Sequence, residues 1–232
     1  MLTVRKAGER GGIDIGWLNS KHTFSFGEYH DPAFMGFGAL RVINEDIVAG
    51  GGGFPPHGHR DMEILTYVLD GALQHQDSSG GSGVIRPGEI QRMSAGRGVV
   101  HSEFNASKDR PVHFLQIWIM PSKQGIDPSY EQKLIEPKRM ANHFARIAGP
   151  NPMDGEVRIM QDAELFAAKL DPDIEIIHPL SQGRRAWLHV ARGEIALDDQ
   201  VLKQGDAAAI TDQDAVTVRS KKPSEILLFD LA

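Results

Sequence analysis

The feature that most constrains this chain is a succession of short β-rich runs, each closed by turn residues. GALRVIN, EILTYVL, GALQHQ, VHFLQIWIM, RRAWLHVA, EIAL, AVTV and EILLFDL recur along it. Turn signals fall at Asp70-Gly71, Ser78–Gly83, Pro87-Gly88, Arg192-Gly193 and Gly205-Asp206. Short strands at regular spacing close into sandwiches or barrels. DAELFAAKLD has a helix-forming composition but lies among strands, and is read as a strand. YEQKLIEPKRMANHF is the best place for a linker with one helical turn. The expected fold class is all-β.

At ~150 residues per domain, 232 residues make one large domain or two small ones. We divide the chain at residue 135, into modules 1–135 and 136–232. Their charge hardly differs, but the first holds 20 of the 25 glycines and 7 of the 10 histidines. Histidine is the commonest metal ligand, so the chemistry is expected in the first module. With no cysteine, disulfides are excluded, and any redox chemistry needs a metal or an organic cofactor. A net charge of −6 excludes a basic nucleic-acid footprint over the whole chain. No apolar run approaches the ~18 residues of a membrane span. MLTVRKAGERGG carries no apolar signal core, so the expected location is cytoplasmic.

The modules show a weak repeat. Placing GGGFPPHGHRDMEILTYVLDGALQHQ over DIEIIHPLSQGRRAWLHVARGEIALD, at an offset of 122, sets Gly71 on Gly193 and Leu65 on Trp187. At an offset of 117, PGEIQRMSAG falls near QGDAAAITDQ, and Gly88 meets Gly205.

His57-Gly58-His59 is the sharpest local motif. Residues i and i+2 of a strand share a face, so the two imidazoles converge. His101-Ser102-Glu103 repeats that spacing. Together the pairs supply three nitrogens and one carboxylate, which must converge tightly for ligand bonds of ~2.0–2.2 Å. Gly50–Gly53, Gly96 and Gly98 let the chain turn beside a crowded site. Without thiolate, such a set suits Fe(II), Mn, Co, Ni, Cu or Zn. In the second module Pro179, Ser181, Val218 and Ser220 occupy the matching positions. That module is therefore expected to be metal-free.

These residues resemble the cupin superfamily of small metal-holding β-barrels. Its first motif, G-x5-H-x-H-x3/4-E-x6-G, is nearly met by Gly51, His57, His59, Glu63 and Gly71, with the last gap one residue longer. The second motif ends H-x3-N, met by His101 and Asn105. HTFSFGEYHDPAFMGFGALRVIN, FPPHGHRDMEILTYVLDG and MSAGRGVVHSE are more specifically similar to the pirin family of bicupins. The resemblance implies two tandem cupin (double-stranded β-helix, or jelly-roll) barrels, the second degenerate. It also implies one divalent transition metal, Fe(II) first, on His57, His59, His101 and a carboxylate. The general cupin motif makes that carboxylate Glu63; the pirin pattern makes it Glu103. We take Glu103, and expect Glu63, if buried, to have a hydrogen-bonding partner.

Pirin-like proteins imply a quercetin 2,3-dioxygenase, which opens the central ring of a flavonol with dioxygen and releases carbon monoxide. Glu103 would take the proton of the 3-hydroxyl. The expected partners are a flavonol-like aromatic and dioxygen, with neither nucleic acid nor membrane. The family's other role implies a metal-loaded regulatory or redox-sensing protein that binds a protein partner; a non-redox cupin metalloenzyme is the third alternative. An open apolar cavity at the metal favours the dioxygenase, a sealed site under a flat exposed patch the regulator, and a cavity lined with Lys and Arg the third. Phe54, Met93 and Trp118 are read as core, with a pocket wall as the alternative. His22, His30, His75, His113, His143, His178 and His189 are read as structural, and SSGGSG as a hairpin tip.

Overall fold

The computed structural model describes residues 1–232. Strands Gly11–Asp14, Leu18–His22, Leu40–Val48, Val112–Ile119, Glu63–Asp70, Glu89–Ser94 and Ser129–Leu134 form one seven-stranded antiparallel sheet, in that spatial order. Against it lies a four-stranded sheet ordered Gly53–His59, Val99–Asn105, Leu73–Asp77, Ser82–Ile85. The second half repeats the plan. Its seven-stranded sheet runs Leu2–Arg5, Ala207–Ile210, Arg185–Arg192, Ser224–Leu231, Ala163–Leu170, Ala145–Gly149, Val157–Arg158. Its four-stranded sheet runs Glu175–Pro179, Ala215–Ser220, Glu194–Leu197, Gln200–Lys203. The molecule is all-β, two tandem cupin barrels. Its one α-helical turn, Pro137–Met140, lies in the expected linker segment, and DAELFAAKLD is the strand Ala163–Leu170. No helix is long and apolar enough to cross a membrane.

The repeat seen in the sequence is structural. Glu63–Asp70 and Arg185–Arg192 lie 122 residues apart at both ends. Gly71 and Gly193 close the two strands at φ +78° and +86°. A Cβ there would lie 2.7 Å from the Pro111 carbonyl and 2.3 Å from that of Pro223, so both turns admit only glycine. One strand departs from the division at 135. Leu2–Arg5 pairs with Ala207–Ile210, and Leu2 and Val4 pack on the second barrel's apolar core.

Strand alternation sorts the side chains. Leu65, Tyr67, Leu115 and Ile117 point away from the first barrel's interior. They meet Leu165, Trp187, Leu227 and Phe229 in a shared core of 26 buried residues that joins the barrels. The alternate positions Asn44, Asp46, Thr66 and Gln116 point inward. The second barrel's interior is instead a cluster of 16 apolar residues. There the buried polar groups are fewer, chiefly His178, which pairs with Asp230 at 2.9 Å.

Candidate metal centre

Strand Gly53–His59 is the edge of the four-stranded sheet and pairs antiparallel with Val99–Asn105. The register sets His57 opposite His101, then shifts so that Glu103 faces Phe54. The extra residue falls at Pro55-Pro56. Proline has no N–H to give a ladder, so it sits on edges and at bulges. The bulge leaves the Pro55 carbonyl free, and His57 Nδ1–H donates to it at 2.8 Å. Gly53 permits the strands to approach: a Cβ there would lie 2.4 Å from a Phe104 ring carbon and 2.5 Å from the Glu103 carbonyl.

His57, His59 and His101 come together, with ring centroids 4.4–4.9 Å apart and one ligand nitrogen of each within 4.8 Å of the others. His101 and Glu103 form a second such group with His75. Glu103 is thus not part of the first group. Gln116 Nε2 donates to its carboxylate at 2.8 Å, and Thr66 Oγ1 donates to Gln116 Oε1 at 3.1 Å. Glu63 lies outside both groups, where Ser94 Oγ donates to it at 2.9 Å.

Two features show that this donor set suits a cation. The bond from His57 Nδ1 to Pro55 leaves the Nε2 lone pair free. His101 Nε2 is buried without a hydrogen-bond partner. Its tautomer has a visible cause: His75 Nε2 donates to Asp77 at 2.9 Å, so His75 Nδ1 is an acceptor. That atom lies 3.4 Å from His101 Nδ1, which donates to it and keeps Nε2 bare. Asp77 is itself held by Ser79 and Gly81. Burial first, then the neighbouring His57, lower His59 to about 4; burial, His57 and His59 lower His101 to about 2. Both rings are neutral near pH 7, the form that binds metal. Burial pushes Glu103 up to about 7, against its bond from Gln116.

His57 and His59 open on a cavity of about 650 Å³ whose walls include Phe26, Phe54, Trp118, Gln116 and Glu103, with neither lysine nor arginine. Trp118 stands edge-on to His59 at 4.9 Å and to Phe26 at 5.4 Å. Phe54 and Trp118 are thus cavity wall, whereas Met93 is core with Ile64, Ala95 and Val99. His22, read from the sequence as structural, lines the cavity, and His75 braces His101. The signal for His75 was present: His75-Gln76-Asp77 has the same i, i+2 spacing as the two ligand-like pairs.

Residues 3–119 match the family model described as pirin. This chain belongs to the pirin family. Residues 146–231 of this pirin-family chain match the model for a quercetinase C-terminal cupin domain. Over 234 residues it is 44% identical to a protein of Escherichia coli K12 named quercetin 2,3-dioxygenase, covering 100% of this chain and 99% of that one. The crystal structure of YhhW from E. coli superposes with a TM-score of 0.96 at 44% identity, covering 100% and 98% of the two chains. That of bacterial pirin YhhW in complex with nickel(II) gives 0.94 at 44% identity, covering 100% and 99%.

Proposed function

We propose that this chain is a metal-dependent dioxygenase that opens the central ring of quercetin-type flavonols with dioxygen and releases carbon monoxide. The observation that carries the reading is the convergence of three imidazoles, two of them on the wall of a partly apolar cavity large enough for an aromatic ligand. Relatives named for that reaction, and a nickel(II) complex within the family, support it. His57, His59 and His101 hold one divalent transition metal, Fe(II) first with Ni, Mn, Co, Cu and Zn as alternatives, and Glu103 completes the set. The bound ion supplies Lewis acidity and a place for dioxygen to react. The reading assigns the metal to module 1–135, leaves module 136–232 metal-free, and puts the protein in the cytoplasm.

The chain's own residues do the rest. Pro55 fixes His57, and the Asp77–His75 chain fixes His101, so both rings present Nε2. Phe54 and Trp118 flank the flavonol rings and keep water from them. Glu103 takes the proton of the flavonol 3-hydroxyl. Proton transfer by a positioned carboxylate contributes about 10²–10⁴-fold. Gln116 orients the carboxylate through the 2.8 Å bond. Exchanging Glu103→Gln tests the role: metal content measured by elemental analysis is expected to be largely kept while flavonol turnover falls at least about 100-fold. Unchanged turnover would move the base elsewhere.

A further inference from the structure

Away from the imidazoles, the cavity carries a compact polar patch. Leu18–His22 and Leu40–Val48 are neighbouring strands, paired Ser20 to Asp46 and His22 to Asn44. All four side chains face the cavity. His22, Asn44 and Asp46 are 4%, 3% and 4% exposed, yet His22 Nδ1, Asn44 Oδ1 and Asp46 Oδ1 have no hydrogen-bond partner. A buried polar group left unpaired costs about 1–3 kcal/mol. Three such groups on one wall, with Ser20 beside Asp46, can take a partner from outside the protein. Pairing also fixes the distance to the reacting end. Gln116, which holds Glu103, lies opposite Asn44 on the next strand, and His22 is one strand further. At ~4.8 Å between strands, the patch starts ~5 Å from Gln116 and extends to ~10 Å. That span is within one fused aromatic ring system.

We propose that His22, Asn44 and Asp46 form a recognition subsite for a second hydroxyl of the aromatic substrate, beyond the pair that meets the metal. The patch offers acceptors at Asn44 and Asp46 and a ring nitrogen at His22, and a hydroxyl can both donate and accept. Ile13, Ile15 and Phe26 supply apolar wall around it. A site built to bond a hydroxyl discriminates against the analogue that lacks it, because its own polar groups then stay unpaired. The subsite rests on the flavonol reading above and narrows it to polyhydroxylated substrates.

The test is anaerobic binding to the nickel(II)-loaded protein, followed by tryptophan fluorescence. The probes are 3-hydroxyflavone, which has only the chelating pair, and galangin and quercetin, which carry further hydroxyls. The wild type is expected to bind a hydroxylated probe at least about 10-fold tighter than 3-hydroxyflavone. Asn44→Ala and, separately, Asp46→Asn are expected to shrink that ratio several-fold while leaving 3-hydroxyflavone binding within about twofold. The milder Asp46→Asn serves if Asn44→Ala does not fold. A wild-type ratio near one, or a ratio unchanged in a folded variant, overturns the subsite alone. Failure of the wild type to bind all three flavonols overturns the flavonol reading, and the subsite with it.

Discussion

At the scale of single residues, the site depends on which nitrogen of each ring is left bare. The His57 ring is turned by one carbonyl, and the His101 ring by a chain of one carboxylate and one imidazole. Partners of metal ligands typically contribute 10–100-fold in affinity. Asp77→Asn keeps the shape but weakens the bond that makes His75 an acceptor. Its metal dissociation constant, measured by chelator competition, is expected to rise about 10–100-fold with an unchanged circular dichroism spectrum. Wild-type affinity would show that the chain does not orient His101. The clustering of His57, His59 and His101 was legible in the sequence because two pairs share the period of a strand. His75 showed the same spacing with Asp77 but was read as structural, since a histidine beside a hairpin is usually solvated or core. The inward polar row of Asn44, Asp46, Thr66 and Gln116 was hidden, because residues buried on both faces of a strand give no alternating pattern to read.

At the scale of elements, an edge strand with two prolines and a close glycine delivers His57 and His59. Gly53 is a point of close approach between the two ligand strands. A methyl group there meets backbone as well as the Phe104 ring, so the strands must separate. Gly53→Ala is expected to lower stability by about 1–3 kcal/mol in urea unfolding and to weaken metal binding with it. If both stay at wild-type values, the strands are not apposed as described. The glycine framing of this motif was visible in the sequence; the bulge was not, because it depends on the register against Val99–Asn105. Strand identities were the easiest features to read, DAELFAAKLD included. There two strand partners, Ala145–Gly149 and Ser224–Leu231, override the local helical preference.

At the scale of the whole molecule, the barrels share one core, and its polar part is sensitive to acid. Glu45 faces the second barrel, paired to Arg10 at 2.8 Å and His113 at 2.9 Å. His189 faces back from the other side, fully buried, with both ring nitrogens unpartnered. Burial, then the Arg10 charge, lowers His189 from 6.5 to about 4. The folded state thus favours the neutral ring. Its contribution is complete above pH 6.5 and is lost as pH falls towards 4. From pH 7 to pH 5 the loss is about 2 kcal/mol. His189→Gln is expected to show a decline in unfolding free energy shallower by that amount over this range; an identical pH profile would mean that His189 is solvated. Neither this interface nor the crossing of Leu2–Arg5 to the second barrel was legible, since both join residues far apart in sequence that no local pattern connects. The central claim, that the imidazole cluster in the first barrel binds the ion that opens a flavonol, has one direct measurement. Protein reconstituted with Fe(II) or Ni(II) is given quercetin in a closed cell, and dioxygen consumed and carbon monoxide released are counted together, beside His57→Ala treated alike. Equal amounts of the two gases from the wild type, with neither metal nor turnover in the variant, is the expected result. Turnover by the metal-free variant, or dioxygen uptake without carbon monoxide, would contradict it.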